Sequence, residues 1–406
     1  PFFVIFSPKF GKRERDWEEI LRKNKEKILS SRSGKTIWIH SASMGEFEQA
    51  KPIIEYLKKL DNTFFVVATF FSPSGYENQR EYKFADVLLY LPLDFPKQSR
   101  KFIDLIKPNI AIFIRYELWL NYLLELKQRN IPAFLISASK PKNADNTIYR
   151  RYLKTCLELF TKIYPMDKKD FEYFVALDLK VPIELAYDTR FDRVNSKIQI
   201  LDDIPFQKAD LGGDFVLIAG SIWKEDINLI SEAYNLIKSE INLRIIYVPH
   251  EPKEDIIREL ELKDKNTIKF SQILEKPVNF KNYGGKNIIV DKIGYLLSLY
   301  SLGDVAYVGG GFGRGVHSVV EPAGFGIPII CGGRIDNSID AINLKDLGVL
   351  QVVDDGKSLA MVLLHLRDKS YYKDIQEKVK NYFSERVGST KKIAGYLLEV
   401  LSNSMK

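Results

Sequence analysis

Short apolar runs rich in β-branched residues recur along the chain, each followed by a stretch whose apolar positions fall at helical spacing. Thr36–His40, Phe64–Thr69, Val87–Leu91, Ile110–Arg115 and Ala133–Ser137 form a first series. Continuous apolar runs separated by amphipathic segments predict a parallel sheet with helices on both faces. After Ile183–Ala186, a further apolar run, the pattern loosens into a polar stretch, Asp192–Asp214, with Pro205, Gly212 and Gly213. That stretch reads as an interdomain linker. A second series follows: Phe215–Ala219, Leu243–Val248, Thr267–Phe270, Ile288–Asp291, Val305–Val308, Pro328–Cys331 and Leu350–Val353. The C-terminal stretch is helical in pattern and charged, and its last helix is expected to pack back on the N-terminal half. The expected fold class is therefore α/β, with two Rossmann-like doubly wound parallel-sheet domains facing a cleft, one at 1–192 and one at 193–406. A length of 406 residues suits two such domains.

Composition narrows the class further. With 45% hydrophobic and 28% charged residues and no low-complexity tract, the chain reads as a globular protein. The only cysteines are Cys156 and Cys331, and the four histidines, His40, His250, His317 and His365, share no metal-ligand spacing. Neither a disulfide framework nor a zinc site is expected. The net charge is +7, and the first 35 residues hold 10 Lys/Arg against 5 Asp/Glu. Such a basic edge attracts an anionic membrane surface or another acidic partner, or is an ordinary solvated helix face. No nucleic-acid-binding motif accompanies it. The opening Pro1–Ser7 is apolar and is followed by Lys9, Lys12, Arg13 and Arg15, which reads as the cytoplasmic end of a membrane anchor.

In open parallel sheets ligands gather at the carboxyl ends of the strands, so the residues after each run carry the candidate chemistry. After the first run, Ser43, Gly45 and Glu46 lead into a helix-like stretch. Glu46 at that helix N-terminus is a candidate general base, and the Ser43/Glu46 spacing is also that of a capping box. Arg115 and Glu117 end the fourth run, placed to orient an acceptor or to form an ion pair with each other. Ser137, Ser139, Lys140 and Lys142 offer hydroxyls and cations after the fifth. In the second half, Gly220 and Ser221 lead into a helix with Lys224 nearby, and Pro249 and His250 end a strand. The densest signal is Gly309–Pro328, where glycines follow a buried run and precede Arg314, His317, Ser318 and Glu321. Backbone amides and Arg314 there suit a nucleotide phosphate, Glu321 suits ribose hydroxyls, and Asn337 follows the next strand.

Taken together these residues resemble the 3-deoxy-D-manno-octulosonic acid (Kdo) transferases of lipopolysaccharide biosynthesis, which have the GT-B fold. The resemblance runs from Trp38 to Asn343. It rests on Trp38-x-His40-x-Ala42-Ser43-x-Gly45-Glu46, on Glu117-Leu-Trp119 with Asn121, on Ala219-Gly-Ser221, and on Gly309–Pro328. It implies an inverting transfer of Kdo from CMP-Kdo to the lipid A precursor at the cytoplasmic face of the inner membrane, with no metal or cofactor. By the resemblance Glu46 is the base and Glu117 assists in positioning the acceptor or Kdo. Gly220, Ser221, Pro249, His250, Gly310, Arg314, His317, Glu321 and Asn337 would hold the donor. Ser43, Gly45, Arg115, Ser139 and Lys140 would face the acceptor. The chain differs from the family pattern in having Arg115-Tyr116 before Glu117, and Pro249-His250-Glu251-Pro252 where an arginine is usual. The competing classes are a GT-B transferase or epimerase that uses a UDP-sugar, and a catalytically silent membrane-surface binding protein.

Overall fold

The computed structural model describes residues 8–30, 34–211, 215–275 and 286–403, with backbone alone for 8–16 and 18. The opening heptapeptide and Gly212–Asp214 thus lie outside the described residues, as do the side chains of Lys9, Lys12, Arg13 and Arg15. The chain forms two compact units: one extends to Arg193 and takes in the C-terminal segment from Arg386, and the other is Val194–Glu385.

The first unit is built on strands β1 (Thr36–Ser41), β2 (Phe65–Phe70), β3 (Val87–Tyr90), β4 (Ile110–Ile114), β5 (Ala133–Ala138) and β6 (Lys162–Pro165). They pair in the order β3-β2-β1-β4-β5-β6, and every pairing is parallel. Alternate residues feed two cores. Trp38, Val67, Leu89, Ala111, Phe113 and Leu135 enter one. Ile37, Ile39, Val66, Ala68, Ile112 and Ile136 enter the other, which the C-terminal helix Ser389–Asn403 completes with Ile393, Ala394, Leu397 and Leu401. Both sheet faces are buried, so the strands read as unbroken apolar runs rather than as alternation.

The second unit holds β7 (Phe215–Ile222), β8 (Leu243–Pro249), β9 (Thr267–Lys269), β10 (Asn287–Ile289), β11 (Val305–Val308), β12 (Ile329–Gly332) and β13 (Leu350–Val353), paired in parallel as β13-β12-β11-β7-β8-β10-β9. This is the doubly wound architecture expected from the hydropathy pattern.

Three local expectations need correction. The sixth strand of the first sheet is Lys162–Pro165, and Ile183–Ala186 contributes only an isolated bridge from Ile183 to Ile163. A strand of four residues that begins with Lys and ends with Pro carries too short an apolar run to stand out. The polar stretch from Asp192 is not an open linker at its start, since the helix Arg190–Ile198 runs through it and a 3₁₀ turn forms at Lys208–Leu211. Phe270 opens the helix Phe270–Glu275 instead of ending a strand.

What the topology supplies is two switch points. In the first sheet the order reverses between β1 and β4, and in the second between β7 and β11. Crossovers leave such a point in opposite directions and open a crevice at the strands' carboxyl ends, where ligands bind.

Candidate active site

Glu46 leaves the β1/β4 switch point on the first turn of the helix Met44–Leu60. Ser43 is the N-cap, and its hydroxyl accepts from the Glu46 N–H at 3.5 Å. Glu46 Oε2 in turn accepts from Ala42 N at 2.6 Å and Ser43 N at 3.3 Å. The capping box is real, and it holds the carboxylate at the strand rim. Glu46 is only 7% exposed. Burial pushes its pKa up to about 7, and the charge of Glu117 adds to the rise, against the pull of the Ala42 amide and of Arg115. A carboxyl that titrates near neutrality beside a second carboxylate is suited to proton abstraction.

Glu117 is held by a relay that strand pairing assembles. Register in the β1–β2 ladder sets His40 beside Thr69. Glu117 Oε2 accepts from Trp119 Nε1 at 2.8 Å and lies 3.2 Å from His40 Nε2. Thr69 Oγ1 lies 2.9 Å from His40 Nδ1 and accepts from Trp38 Nε1 at 2.9 Å. A carboxylate can only accept, so His40 Nε2 donates to it. In a neutral imidazole Nδ1 then accepts from the Thr69 hydroxyl, leaving a Thr69 lone pair for Trp38. The Trp119 ring stands edge-on to His40 at 5.3 Å and 86°. The Thr69 hydroxyl also lies 3.4 Å from Ile39 O, and the buried chain from Trp38 to Glu117 makes the direction of Glu117 a property of the core.

The same rim carries unused hydrogen-bonding capacity. Ser41 Oγ, Arg115 Nε and Ser137 Oγ are buried with no partner among the described residues. They end three neighbouring strands, β1, β4 and β5, and two of them lie in the left-handed region, Arg115 at φ 64° and Ser137 at φ 51°. Non-glycine residues hold that conformation at a cost in strain, and buried polar groups are normally satisfied. Of the other acceptor-side candidates, Lys140 is engaged with Asp145 at 3.0 Å and lies over the Tyr173 ring. Ser139 is half-buried. A side chain at Gly45 would meet open space, so nothing inside the protein demands glycine there.

At the β7/β11 switch point the chain turns twice. β7 bulges between Gly220 and Ile222 with Ser221 at φ 52°, and β11 gives way to a glycine loop with Gly310 at φ 92°. Gly311 packs so closely on Gly332 that a Cβ would lie 2.6 Å from its Cα. Several loop amides close the loop on itself, with Gly313 N and Gly315 N both donating to Gly310 O, and Gly310 N donating to Asp226. Gly310 therefore contributes its backbone conformation to the site, not its N–H. Asn337 braces the loop by donating to Val316 O at 2.9 Å.

Around this loop stands an aromatic group. Trp223 Nε1 donates to His317 Nε2 at 2.8 Å, with the rings 12° from parallel. His250 stacks on both, 4.7 Å from Trp223 and 4.3 Å from His317, and the Arg314 guanidinium lies 5.2 Å from the Trp223 centroid. Burial, and then His250, press the His317 pKa down to about 4. Since indole only donates, His317 Nε2 must be the unprotonated nitrogen. A cavity of about 230 Å³ opens here, lined by Trp223, Glu225, Asp226, Gly310, Phe312 and Arg314 among others. Glu321 sits in the short helix Val320–Gly324, and its charge is felt by the buried Tyr300 beneath Gly220. Among the described residues no group of three or more His, Cys, Asp and Glu side chains is arranged to hold a metal ion.

The structure thus gathers Ser43, Glu46, Arg115 and Glu117 at one switch point, and Gly220, Ser221, His250, Gly310, Arg314 and His317 at the other, with Pro249 closing β8. Sequence reasoning passed over Thr69, Trp223, Asp226 and Tyr307. Only strand register could have pointed to Thr69.

Comparison with known proteins adds family and fold relatives. A family model described as 3-deoxy-D-manno-octulosonic-acid transferase (kdotransferase) matches residues 15–193. The 3-deoxy-D-manno-octulosonic acid transferase of Aquifex aeolicus is 30% identical over 299 residues, 73% of this chain and 75% of that protein. That of Haemophilus influenzae is 27% identical over 327 residues, 78% and 75% of the two chains. Among solved structures, UDP-GlcNAc 2-epimerase from Neisseria meningitidis superposes with a TM-score of 0.59 over 90% of this chain and 100% of its own at 13% identity, a likeness of fold alone.

Proposed function

Since the chain belongs to the 3-deoxy-D-manno-octulosonic acid transferase family, we propose that it moves Kdo from CMP-Kdo to the lipid A precursor by a single inverting displacement. Glu46 takes the proton from the acceptor hydroxyl as that oxygen attacks the anomeric carbon. The bond from that carbon to the CMP phosphate breaks, and CMP leaves with the electron pair. The observation that carries this reading is the carboxyl of Glu46, raised to about 7 beside Glu117 at a switch point. A base poised near the working pH combines a large ionised fraction with useful basicity.

Ser41, Arg115 and Ser137, with their unmet donors and acceptors, would seat the polar head of the acceptor, and Glu117 would orient its reacting hydroxyl. In the second unit Arg314 would meet the charge that grows on the departing phosphate, and Glu321 would accept from the ribose hydroxyls. His250 and His317, the latter uncharged above pH of about 4, would line the nucleotide without adding a fixed cation. The lipid acceptor and the basic N-terminal stretch support a place at the cytoplasmic face of the inner membrane. No described helix is long and apolar enough to cross a membrane.

The test is transfer from CMP-Kdo, generated in situ, to a tetra-acylated lipid A precursor in detergent with EDTA present, with products read by mass. A gain of one or more Kdo units is the expected result; absence of product together with absence of CMP binding would sink the reading. A second expectation concerns Glu321→Ala. Loss of hydrogen bonds from two hydroxyls to a charged acceptor should weaken CMP binding roughly 10–100-fold and leave kcat nearly unchanged. Calorimetric titration with CMP decides it, and unchanged affinity would remove Glu321 from the ribose.

A further inference from the structure

Asp226 is fully buried, with 0% exposure, on the first turn of the helix Lys224–Ile237. One of its oxygens, Oδ2, accepts from Trp223 N at 2.8 Å, as an acid at that position of a helix ordinarily does. The rest of its bonding is not local. Oδ2 also accepts from Gly310 N at 3.1 Å, and Oδ1 accepts from Tyr307 Oη at 2.7 Å. Both partners belong to β11 or to the loop that follows it. The carboxylate therefore joins the turn after β7 to the glycine loop after β11, across the switch point. Glycine at 309 follows from the same contact, since a Cβ there would lie 2.8 Å from Asp226 Oδ2 and 2.4 Å from Ser221 O. Trp223, whose N–H the carboxylate holds, carries the indole that bonds His317 and underlies Arg314. Burying a carboxylate is costly, and burial is the main reason its pKa is raised. A helix cap alone would not require this, because a cap works at the surface.

We propose that Asp226 is a positioning residue for the donor: its carboxylate pins the β7 turn to the glycine loop and so sets Trp223, His317 and Arg314 in register around the nucleotide sugar. The inference rests on the donor reading given above and adds to it a buried residue that acts through Trp223, His317 and Arg314. Displacing a binding group by about 1 Å can cost up to 10²-fold, and that sets the expected scale.

Asp226→Ala should weaken CMP binding by roughly 10–100-fold and raise the KM for the sugar nucleotide in proportion. The acceptor KM should stay as it was, with kcat changed far less than the donor KM. Asp226→Asn should come back to within about 3-fold of the parent. Its amide has the carboxylate's shape: the oxygen keeps both backbone N–H groups, and the NH₂ donates to a rotated Tyr307 hydroxyl. A general loss of stability would move both Michaelis constants or neither, and would not be reversed by the isosteric amide. A ligand-free readout is the indole N–H resonance of Trp223, assigned with a Trp223→Phe variant; it should keep its hydrogen-bonded shift in Asp226→Asn and lose it in Asp226→Ala.

Parent-like CMP affinity in folded Asp226→Ala, or an undisturbed indole resonance there, would overturn the proposal. So would Asp226→Asn as weak as the alanine variant. If Asp226→Ala does not fold, Tyr307→Phe serves instead: it removes one of the three bonds, a 3–10-fold weakening of CMP is expected from about 1 kcal/mol, and no change would refute the clamp. If the parent itself does not bind CMP, the donor reading falls, and the indole resonance alone decides whether the two loops are pinned.

Discussion

Replacing Glu46 with Gln should lower turnover by roughly 10²–10⁴-fold, the range that general base catalysis contributes, while CMP binding in the second unit stays as it was. The amide keeps the shape of the carboxylate, and its oxygen can still accept from Ala42 N, so the helix start is preserved and only proton acceptance is lost. Stability should move the other way. The folded protein raises this carboxyl from 4.5 to about 7, so the folded state binds the proton more tightly than the unfolded chain. Below pH 4.5 the group is protonated in both states and costs nothing. As pH rises through the interval to 7 the cost grows, and above it the full difference is reached, up to about 3 kcal/mol at 1.36 kcal/mol per unit. Thermal denaturation should therefore show Glu46→Gln more stable than the parent at pH 8, with the gap closing toward pH 4.5. An inactive variant with no such gain would mean that the carboxyl is not raised in the folded state. Near-parent turnover would remove Glu46 from the base role.

That one residue also shows how far the sequence could be read. Ser43 and Glu46 are spaced for a capping box, and a catalytic loop was the competing account. The structure makes them one arrangement: the cap is what holds the proposed base at the strand rim. The two parallel sheets were legible because strands buried on both faces must be apolar throughout, which a run of Val, Ile and Phe announces. Lys162–Pro165 was not, because two apolar residues between Lys and Pro carry no periodicity and the strand is defined by its pairing with β5. Asp226 was hidden for a different reason. Its neighbours describe an acid in a helix first turn, and the partner that changes its meaning, Gly310, lies 84 residues away. The glycine loop was read as a cradle of backbone amides, whereas the Gly310, Gly313 and Gly315 amides bond within the protein, and part of what glycine supplies there is room for Ser221, Asp226 and Gly332 to approach.

Glu117→Gln should move the acid limb of the pH profile for kcat/KM to lower pH. In the parent the limb should fall near pH 7, because the proposed mechanism makes the ionised form of Glu46 the active one and its pKa is about 7. Burial is the first cause of that value and the charge of Glu117 the second. Removing the second while leaving the first lowers the pKa without returning it to 4.5, so the limb should shift only part of the way. Activity at pH 6, expressed against each enzyme's own plateau, should then be higher in the variant. The plateau itself should drop about 10-fold or more, since the role proposed for Glu117 is to orient the acceptor and a weaker base gives up some of its drive. Geometry is not what changes: an amide oxygen can still accept from Trp119 Nε1 and from His40 Nε2, so the relay through Thr69 to Trp38 is kept. The measurement is kcat/KM for the acceptor from pH 5 to 9 in parent and variant, with Glu46→Gln as the control whose residual rate should lack this limb. A limb fixed near 7 in Glu117→Gln would show that the charge of Glu117 does not reach Glu46. A limb that persists in Glu46→Gln would assign it to another group, and the base would have to be sought elsewhere on the rim.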